Sequence, residues 1–185
     1  MSNRNPTLSI PLIALSLLLS ACTNTGVVFD PDKPHHGDGV FYGFVDDPDL
    51  IFADIHEDGR YLYPGTGASE ETGTGRARGT KLNVPLAPGA DDAEFRMAWR
   101  QVEAYLDAAE PEFIIFQCGA DSLEGDPITH LCFTEQAHAD AAATLCRLAD
   151  KHCEGRLIGT GGGGYNRQNI ARAWTRVVQV FVEAA

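Results

Sequence analysis

Three polar clusters of the sequence contain residue types that could bind a metal ion and act on a carbonyl group. They are "DPDKPHHGDG" at residues 30–39, "CGADSLEGD" at 118–126 and "GGGGYN" at 161–166. His35 could supply an imidazole and Asp121 a carboxylate to a catalytic divalent metal, whose bound water has a pKa of about 7. Tyr165 could present its phenol to a substrate carbonyl and stabilise a developing oxyanion. One interpretation of these residues is therefore a metal-dependent hydrolase.

Each of these residues also has a purely structural interpretation. Adjacent histidines in a polar loop, such as His35 and His36, are often solvated, and Asp121 could cap a helix or a turn. The run of four glycines before Tyr165 could be a flexible turn. The residue types alone leave both interpretations open.

The elements that would position these clusters alternate between short strands and longer helices. Strands are predicted at "GVVFD" from Gly26, "LIFADI" from Leu50, "KLNVPL" from Lys81, "EFIIFQ" from Glu112 and "RLIGT" from Arg156. The alternation predicts an α/β fold with a mostly parallel sheet. Ligands of such sheets bind outside the carboxyl ends of the strands, and each polar cluster directly follows a predicted strand. The three clusters are therefore expected to meet at one face of the sheet.

Three helices are predicted by apolar residues at helical spacing. The first is capped by Asp91 or Asp92 and runs to about Ala109, and the second opens at Thr134 and runs to about His152. The third is "NRQNIARAWTRVVQVFVEA". The apolar face of the first helix comprises Phe95, Trp99, Val102 and Leu106, and that of the third comprises Ile170, Trp174, Val177, Val178 and Phe181.

The N-terminal segment differs in composition from the rest, with Arg4 as its only charged side chain before Asp30. "LSIPLIALSLLLSAC" is apolar, short for a membrane span and closed by small residues, which is the pattern of a secretory signal. "LSAC" is similar to the bacterial lipoprotein signal, in which the cysteine, here Cys22, is lipidated. We therefore predict a leader over residues 1–25 and a domain over 26–185. The protein would be a membrane-anchored lipoprotein if the leader is genuine, and cytoplasmic if a misplaced start codon or a gene rearrangement produced it.

Composition excludes several other classes. The formal net charge of −12 argues against a nucleic-acid partner, which would need clustered Lys and Arg. The five cysteines form no CxxC pair, so a disulfide framework or a zinc knuckle is not expected.

Several long motifs together resemble one family. "HHGDGV", "YPGTG", "LNVPL", "QCGADSLEGDP" and "GGGGYNRQNIARAWT" occur in this order. From Pro34 onward the chain resembles the C-terminal half of the zinc-dependent histone deacetylase family, which includes acetoin-utilisation proteins and acetylpolyamine amidohydrolases. The resemblance implies a partial arginase/deacetylase-like α/β fold with its N-terminal half missing. It also implies that zinc and a bound water hydrolyse N-acetyl amides of lysine or polyamines.

The resemblance assigns roles to individual residues. His35 matches the family's histidine zinc ligand, Asp121 the later aspartate ligand, and Tyr165 the tyrosine that donates to the oxyanion. The residues implied to line the acyl channel and pocket are Tyr63, Gly163 and Gly164.

The ligand motif departs from the family pattern Asp-x-Asp-x-His-His by one extra residue. Counting back from His35, the aspartate ligand position holds Lys33, whose ammonium has no lone pair for a metal. Residues three apart in a plain strand lie on opposite faces. A bulge near Pro34 would let Asp32 bind the zinc and Asp30 a neighbouring monovalent cation such as K⁺.

The family's general-base histidines lie in the half that this chain does not match, and loss of a positioned base costs about 10² to 10⁴ in rate. His56, His130, His138 and His152 occur in other contexts, the last three on or near predicted helices, where we expect surface exposure. The missing strands would also leave a hydrophobic sheet edge uncovered.

Two functions follow as hypotheses. The first is a zinc-dependent amide deacetylase that acts only if another polypeptide, or a corrected start of the reading frame, supplies the missing half. The alternative is a non-catalytic, lipid-anchored remnant that binds a partner. An arginase-type ureohydrolase with two manganese ions would share the fold but needs more aspartate ligands than the sequence offers.

Overall fold

A computed structural model of the chain describes residues 12–17 and 37–185. Five strands form one parallel sheet: β1 (Leu12–Leu17), β2 (Leu50–Glu57), β3 (Lys81–Leu86), β4 (Phe113–Cys118) and β5 (Leu157–Thr160). Their order across the sheet is β3-β2-β1-β4-β5. Leu12 of the central strand pairs with Leu50 on one side and with Phe113 on the other. The predicted α/β class with a parallel sheet is confirmed.

The predicted strands agree with β2, β3, β4 and β5, whereas "GVVFD" lies outside the described residues. β4 is an interior strand, as its apolar composition indicates, and Ile114, Phe116 and Cys118 are buried on one of its faces. The central strand β1 belongs to the segment predicted as a leader. That leader stays a prediction.

Four α-helices accompany the sheet: α1 (Asp38–Gly43), α2 (Asp92–Ala109), α3 (Glu135–Cys153) and α4 (Arg167–Ala184). Side chains cap the three long helices. Asp91 accepts from Ala93 N–H, Thr134 from Gln136 N–H and Asn166 from Gln168 N–H. These caps satisfy backbone donors that have no partner inside the helix, so each long helix begins where the sequence predicts.

The core lies between the sheet and helices α2 and α3. Phe95, Val102 and Leu106 of α2 are fully buried, as predicted. The Phe95 ring stacks on Trp99 at 5.6 Å between centroids and meets Phe133 edge-on at 5.2 Å. α3 packs against β4, β5 and α4, and half of its buried side chains are alanines, which permit this close approach.

The predicted apolar face of α4 is only partly correct. Val177 is buried, but Trp174 is 40% exposed and Val178 is 58% exposed. The other buried positions are Asn169, Ala173 and Val180, which the prediction did not include. Ala173 packs with Ala120 and Leu123, because its small side chain lets the helix approach the segment after β4.

β5 lies at the edge of the sheet, and Ile158 on it is 51% exposed. Glycines let α4 pack directly on this strand, because a Cβ atom at Gly159 would lie 2.9 Å from Phe181 and one at Gly161 only 2.0 Å from Trp174. Among the helices that the structure describes, none combines the length and the apolar character needed to cross a membrane.

Candidate functional site

Asp121 lies in the segment after β4 and is completely buried. Neither of its carboxylate oxygens has a hydrogen-bond partner in the described part of the chain. Its backbone carbonyl accepts a hydrogen bond from Thr129 Oγ1. Burial raises the pKa of Asp121 well above its usual range, and the charges of Asp126 and Asp54 raise it further. Such a carboxylate is costly unless it is protonated or binds a cation.

The glycine-rich segment after β5 lies against Asp121. A Cβ atom at Gly163 would lie 2.2 Å from Asp121 Oδ2, so a side chain at this position would collide with the carboxylate. Ala120 N–H donates to Gly163 O at 2.7 Å, and Gly164 has a φ of 138°, which favours glycine. Tyr165 follows and is 39% exposed. Two of the three predicted clusters therefore meet at the carboxyl ends of the strands.

Asp54, near the end of β2, is a site neighbour that the sequence motifs did not single out. Its Oδ2 accepts from Gly37 N–H at 2.9 Å and lies 3.2 Å from Nδ1 of the buried His56. His56 Nε2 lies 3.0 Å from Gly67 O. Burial lowers the pKa of His56, but the charge and hydrogen bond of Asp54, together with the hydrogen bond to Gly67, leave that pKa raised. The signal was present, because Asp54 and His56 are two residues apart and therefore share one face of a strand whose first four residues are apolar.

His138 on α3 is buried, so the expected surface exposure is wrong. The reason is that α3 packs against both the sheet and α4. His138 Nε2 lies 2.7 Å from Gly119 O, to which it donates, and burial lowers the pKa of the ring. A neutral His138 therefore anchors the main chain two residues before Asp121.

The other two helix-associated histidines differ from each other. The His130 side chain is 65% exposed, as expected, and its Nδ1 lies 2.9 Å from Oε1 of the buried Glu57. The His152 side chain is only 11% exposed, contrary to expectation, because its Nε2 lies 2.7 Å from Asp107 Oδ1.

Several predicted site residues lie outside the described residues. They are Cys22, Asp30, Asp32, Lys33 and His35. Tyr63 is described and is 59% exposed in the loop after β2. The described hydrogen bonds and close contacts bring together Asp121, Gly163, Gly164 and the backbone of Tyr165, and none of them joins Tyr63 to this group.

A divalent cation fits part of this site. No group of three His, Cys, Asp or Glu side chains that could hold a metal occurs among the described residues. The buried, unpartnered Asp121 carboxylate nevertheless has the chemistry of one metal ligand. Gly37, which directly follows His35 and His36 in the sequence, bonds to Asp54, and Asp54 is close enough to raise the pKa of Asp121.

The family model of the histone deacetylase domain matches residues 13–181. The chain belongs to the histone deacetylase family. The match confirms the resemblance found in the motifs, and it begins within the segment predicted as a leader.

Curated relatives of this deacetylase-family chain are longer than it is. The acetoin utilization protein AcuC of Bacillus subtilis (strain 168) is 41% identical over 156 residues, which cover 82% of this chain and 40% of the relative. A probable deacetylase of Archaeoglobus fulgidus is 38% identical over 133 residues, which cover 71% of this chain and 36% of the relative. The chain thus spans less than half the length of these relatives.

Solved deacetylase structures share the fold. The crystal structure of the HDA15 HD domain matches with a TM-score of 0.78 and 25% identity, covering 93% of this chain and 44% of that chain. The structure of the histone deacetylase Clr3 matches with a TM-score of 0.77 and 26% identity, covering 95% of this chain and 27% of that chain. The prediction of a partial deacetylase fold is confirmed.

Proposed function

We propose that this chain carries zinc-binding and substrate-binding residues of a deacetylase that hydrolyses N-acetyl amides of lysine or polyamines. The observation that carries the proposal is the Asp121 carboxylate, which is buried without a partner among the described residues and lies against the segment that leads to Tyr165. The family membership of the chain supports an acetylated substrate.

Asp121 would hold the zinc ion together with His35 and, if the extra residue is absorbed as a bulge, Asp32. A bound zinc ion supplies Lewis-acid polarisation of the amide carbonyl and lowers the pKa of a coordinated water. The potassium site beside Asp30 stays a prediction, because Asp30 lies outside the described residues.

The remaining residues would bind and orient the acetyl amide. Tyr165 is half-buried, so its phenol is accessible to a substrate and can donate a hydrogen bond to the developing oxyanion. Gly163 and Gly164 would line the pocket, and the absence of a side chain at Gly163 lets this segment lie directly against Asp121. Tyr63 is exposed and would contact the acyl chain. The general base is not among these residues, so we expect turnover only with a polypeptide that supplies the N-terminal half of the family domain.

The alternative of a lipid-anchored, non-catalytic remnant has no specific support from the described residues, because Cys22 lies outside them.

Zinc binding and turnover test the proposal separately. At a free zinc concentration of 100 times its Kd, the free energy of unfolding should rise by about 2.7 kcal/mol, and Asp121→Asn should abolish most of this gain. With the N-terminal half of an AcuC relative added, acetyl-lysine peptides or acetylated polyamines should be hydrolysed. Tyr165→Phe should lower this turnover by about 10² while zinc binding is kept. Absence of both stoichiometric zinc and turnover would refute the proposal.

A further inference from the structure

Asp126 joins the two loops that form the site. It lies in the segment between β4 and α3 and is only 8% exposed. Its Oδ1 accepts from Ile128 N–H at 2.9 Å, within its own loop. Its Oδ2 accepts from Tyr165 N–H at 2.8 Å, in the segment after β5. The carboxylate therefore makes two hydrogen bonds to backbone donors, and one of them holds the tyrosine.

The backbone just before Tyr165 is held at a second point. Gly163 O accepts from Ala120 N–H at 2.7 Å, so the chain is bonded on both sides of Gly164. A Cβ atom at Gly164 would lie 3.0 Å from Ile170 and 3.1 Å from the Ala120 side chain. The two hydrogen bonds therefore hold the backbone on both sides of Gly164 and constrain the direction of the Cα–Cβ bond of Tyr165.

The residues just after Tyr165 are bonded to the same loop. Asn166 Nδ2 donates to Gly125 O at 3.2 Å, and the Asn166 side chain also caps α4. The buried Asn169 donates to Leu123 O at 3.3 Å and to Glu124 O at 3.2 Å. The acceptors of these bonds are neutral backbone carbonyls, whereas the acceptor of the bond from Tyr165 N–H is a carboxylate. Hydrogen bonds to a carboxylate are the stronger kind.

We propose that Asp126 is the positioning residue of Tyr165. Its carboxylate fixes the backbone of the tyrosine, so that the ring is held beside Asp121 at the carboxyl ends of the strands. The inference rests on the proposed deacetylase function for its catalytic consequence, but not for the placement of the ring. Asp126 itself touches neither substrate nor metal in this proposal. It acts through the main chain of another residue.

The experiment uses the full chain labelled with 3-fluorotyrosine and observed by fluorine NMR. The protein has five tyrosines, and Tyr165→Phe identifies the resonance of residue 165. Asp126→Ala should move and broaden this resonance and raise the amide exchange rate of Tyr165 at least about 10-fold. The Tyr105 resonance should stay in place, because its hydroxyl donates to Gly79 O in another part of the fold.

Two further variants separate positioning from loss of stability. Asp91→Ala removes a helix cap on α2 and serves as a matched control that leaves the residue 165 signals unchanged. Asp126→Asn keeps one acceptor oxygen without the charge, so its changes in the residue 165 resonance and in amide exchange should lie between those of wild type and Asp126→Ala. This variant provides the test if Asp126→Ala fails to fold. In the complemented enzyme, Asp126→Asn should lower kcat about 10-fold with little change in KM.

The outcomes distinguish this inference from the proposed function. If wild type never shows turnover, the deacetylase proposal fails, and the fluorine and exchange data still decide the role of Asp126. Unchanged residue 165 signals in both Asp126 variants would overturn the inference. Equal changes in Asp91→Ala, or turnover that is unaffected by Asp126→Asn, would overturn it as well.

Discussion

Lys81 and Asp121 are buried charged side chains at opposite ends of the parallel sheet. Lys81 begins β3 and is 1% exposed, whereas Asp121 follows the carboxyl end of β4 and is 0% exposed. All three ammonium protons of Lys81 are used. Nζ donates to Leu50 O at 2.6 Å, to Thr80 Oγ1 at 2.7 Å and to Asp47 O at 2.9 Å. The carboxylate of Asp121 has no such partner among the described residues.

The difference separates a buried ionisable group whose hydrogen bonds the protein satisfies from one whose hydrogen bonds the described residues leave unsatisfied. Burial disfavours the ionised form of both groups, because it lowers the pKa of Lys81 and raises that of Asp121. At Lys81 the protein itself offsets this cost with three oxygen acceptors. At Asp121 no hydrogen-bond donor among the described residues offsets the cost, so the compensation must come from a proton or a bound cation.

The largest effect is expected when the satisfied charge is removed. Lys81→Met should lower the free energy of unfolding by about 3 kcal/mol, because it leaves buried oxygen acceptors without their donor. Urea denaturation measures the loss. Lys151→Met is the matched control: its side chain is 58% exposed and pairs with Asp107, so the change should stay below about 0.5 kcal/mol. Equal losses in the two variants would contradict the role given to Lys81.

A smaller effect of opposite sign is expected at the unsatisfied charge. Asp121→Asn should stabilise the metal-free chain at pH 7 by about 2 kcal/mol, because asparagine is neutral, whereas the wild-type carboxyl group must either be buried as a charge or take up a proton at a pH above its usual pKa. The raised pKa of Asp121 means that the unfolded chain loses its proton first. Wild-type stability should therefore fall as pH rises from about 4 through the raised pKa, and the variant should lack this fall.

Denaturation in the presence of a chelator, repeated across pH, measures both parts of this prediction. The exchange Asp46→Asn at an exposed site is the control and should change stability by less than about 0.5 kcal/mol. If Asp121→Asn destabilises the metal-free chain, the carboxylate has a partner and the comparison with Lys81 fails.

The smallest effect is expected at His138. His138→Leu should cost about 1.5 kcal/mol, because Gly119 O loses its donor. The lowered pKa of His138 means that the unfolded chain binds the proton first, so wild-type stability should fall as pH drops below about 6.5. Thermal unfolding at pH 7 and pH 5 measures this loss, which the variant should lack. His130→Leu should cost less than about 1 kcal/mol, since Glu57 keeps its bond from His130 N–H; an equal cost would argue against His138 as an anchor.

Elements with one dominant local pattern could be predicted from the sequence. For α2, Asp91 and Glu94 form a capping box, and the apolar positions from Phe95 to Leu106 follow one helical stripe. Both signals act within a few residues of each other, so no tertiary information is needed.

The buried face of α4 could not be predicted, because this helix carries two apolar stripes. Trp174 and Val178 are large and apolar, but Ala173 and Asn169 face the interior. Asn169 is buried because its amide bonds to two backbone carbonyls of the loop after β4. The hydrophobicity pattern of a helix does not show which of its polar residues hydrogen-bond to a distant backbone.

The same distinction applies to the site. The segments that contain Asp121 and Tyr165 could be predicted to lie together, because each follows a strand of one parallel sheet. The contributions of Asp54, Asp126 and His138 could not, because each acts through a hydrogen bond to a distant stretch of main chain.

The central position of β1 has a consequence for how the sheet assembles during synthesis. β1 precedes β2 and β4 in the chain, so one of its edges stays unpaired until β2 is synthesised and the other until β4 is synthesised. Neighbouring strands of the sheet are therefore not added in the order of translation, and both flanks depend on β1. A signal peptidase that cut before Cys22 would release that strand and separate the two flanks from each other.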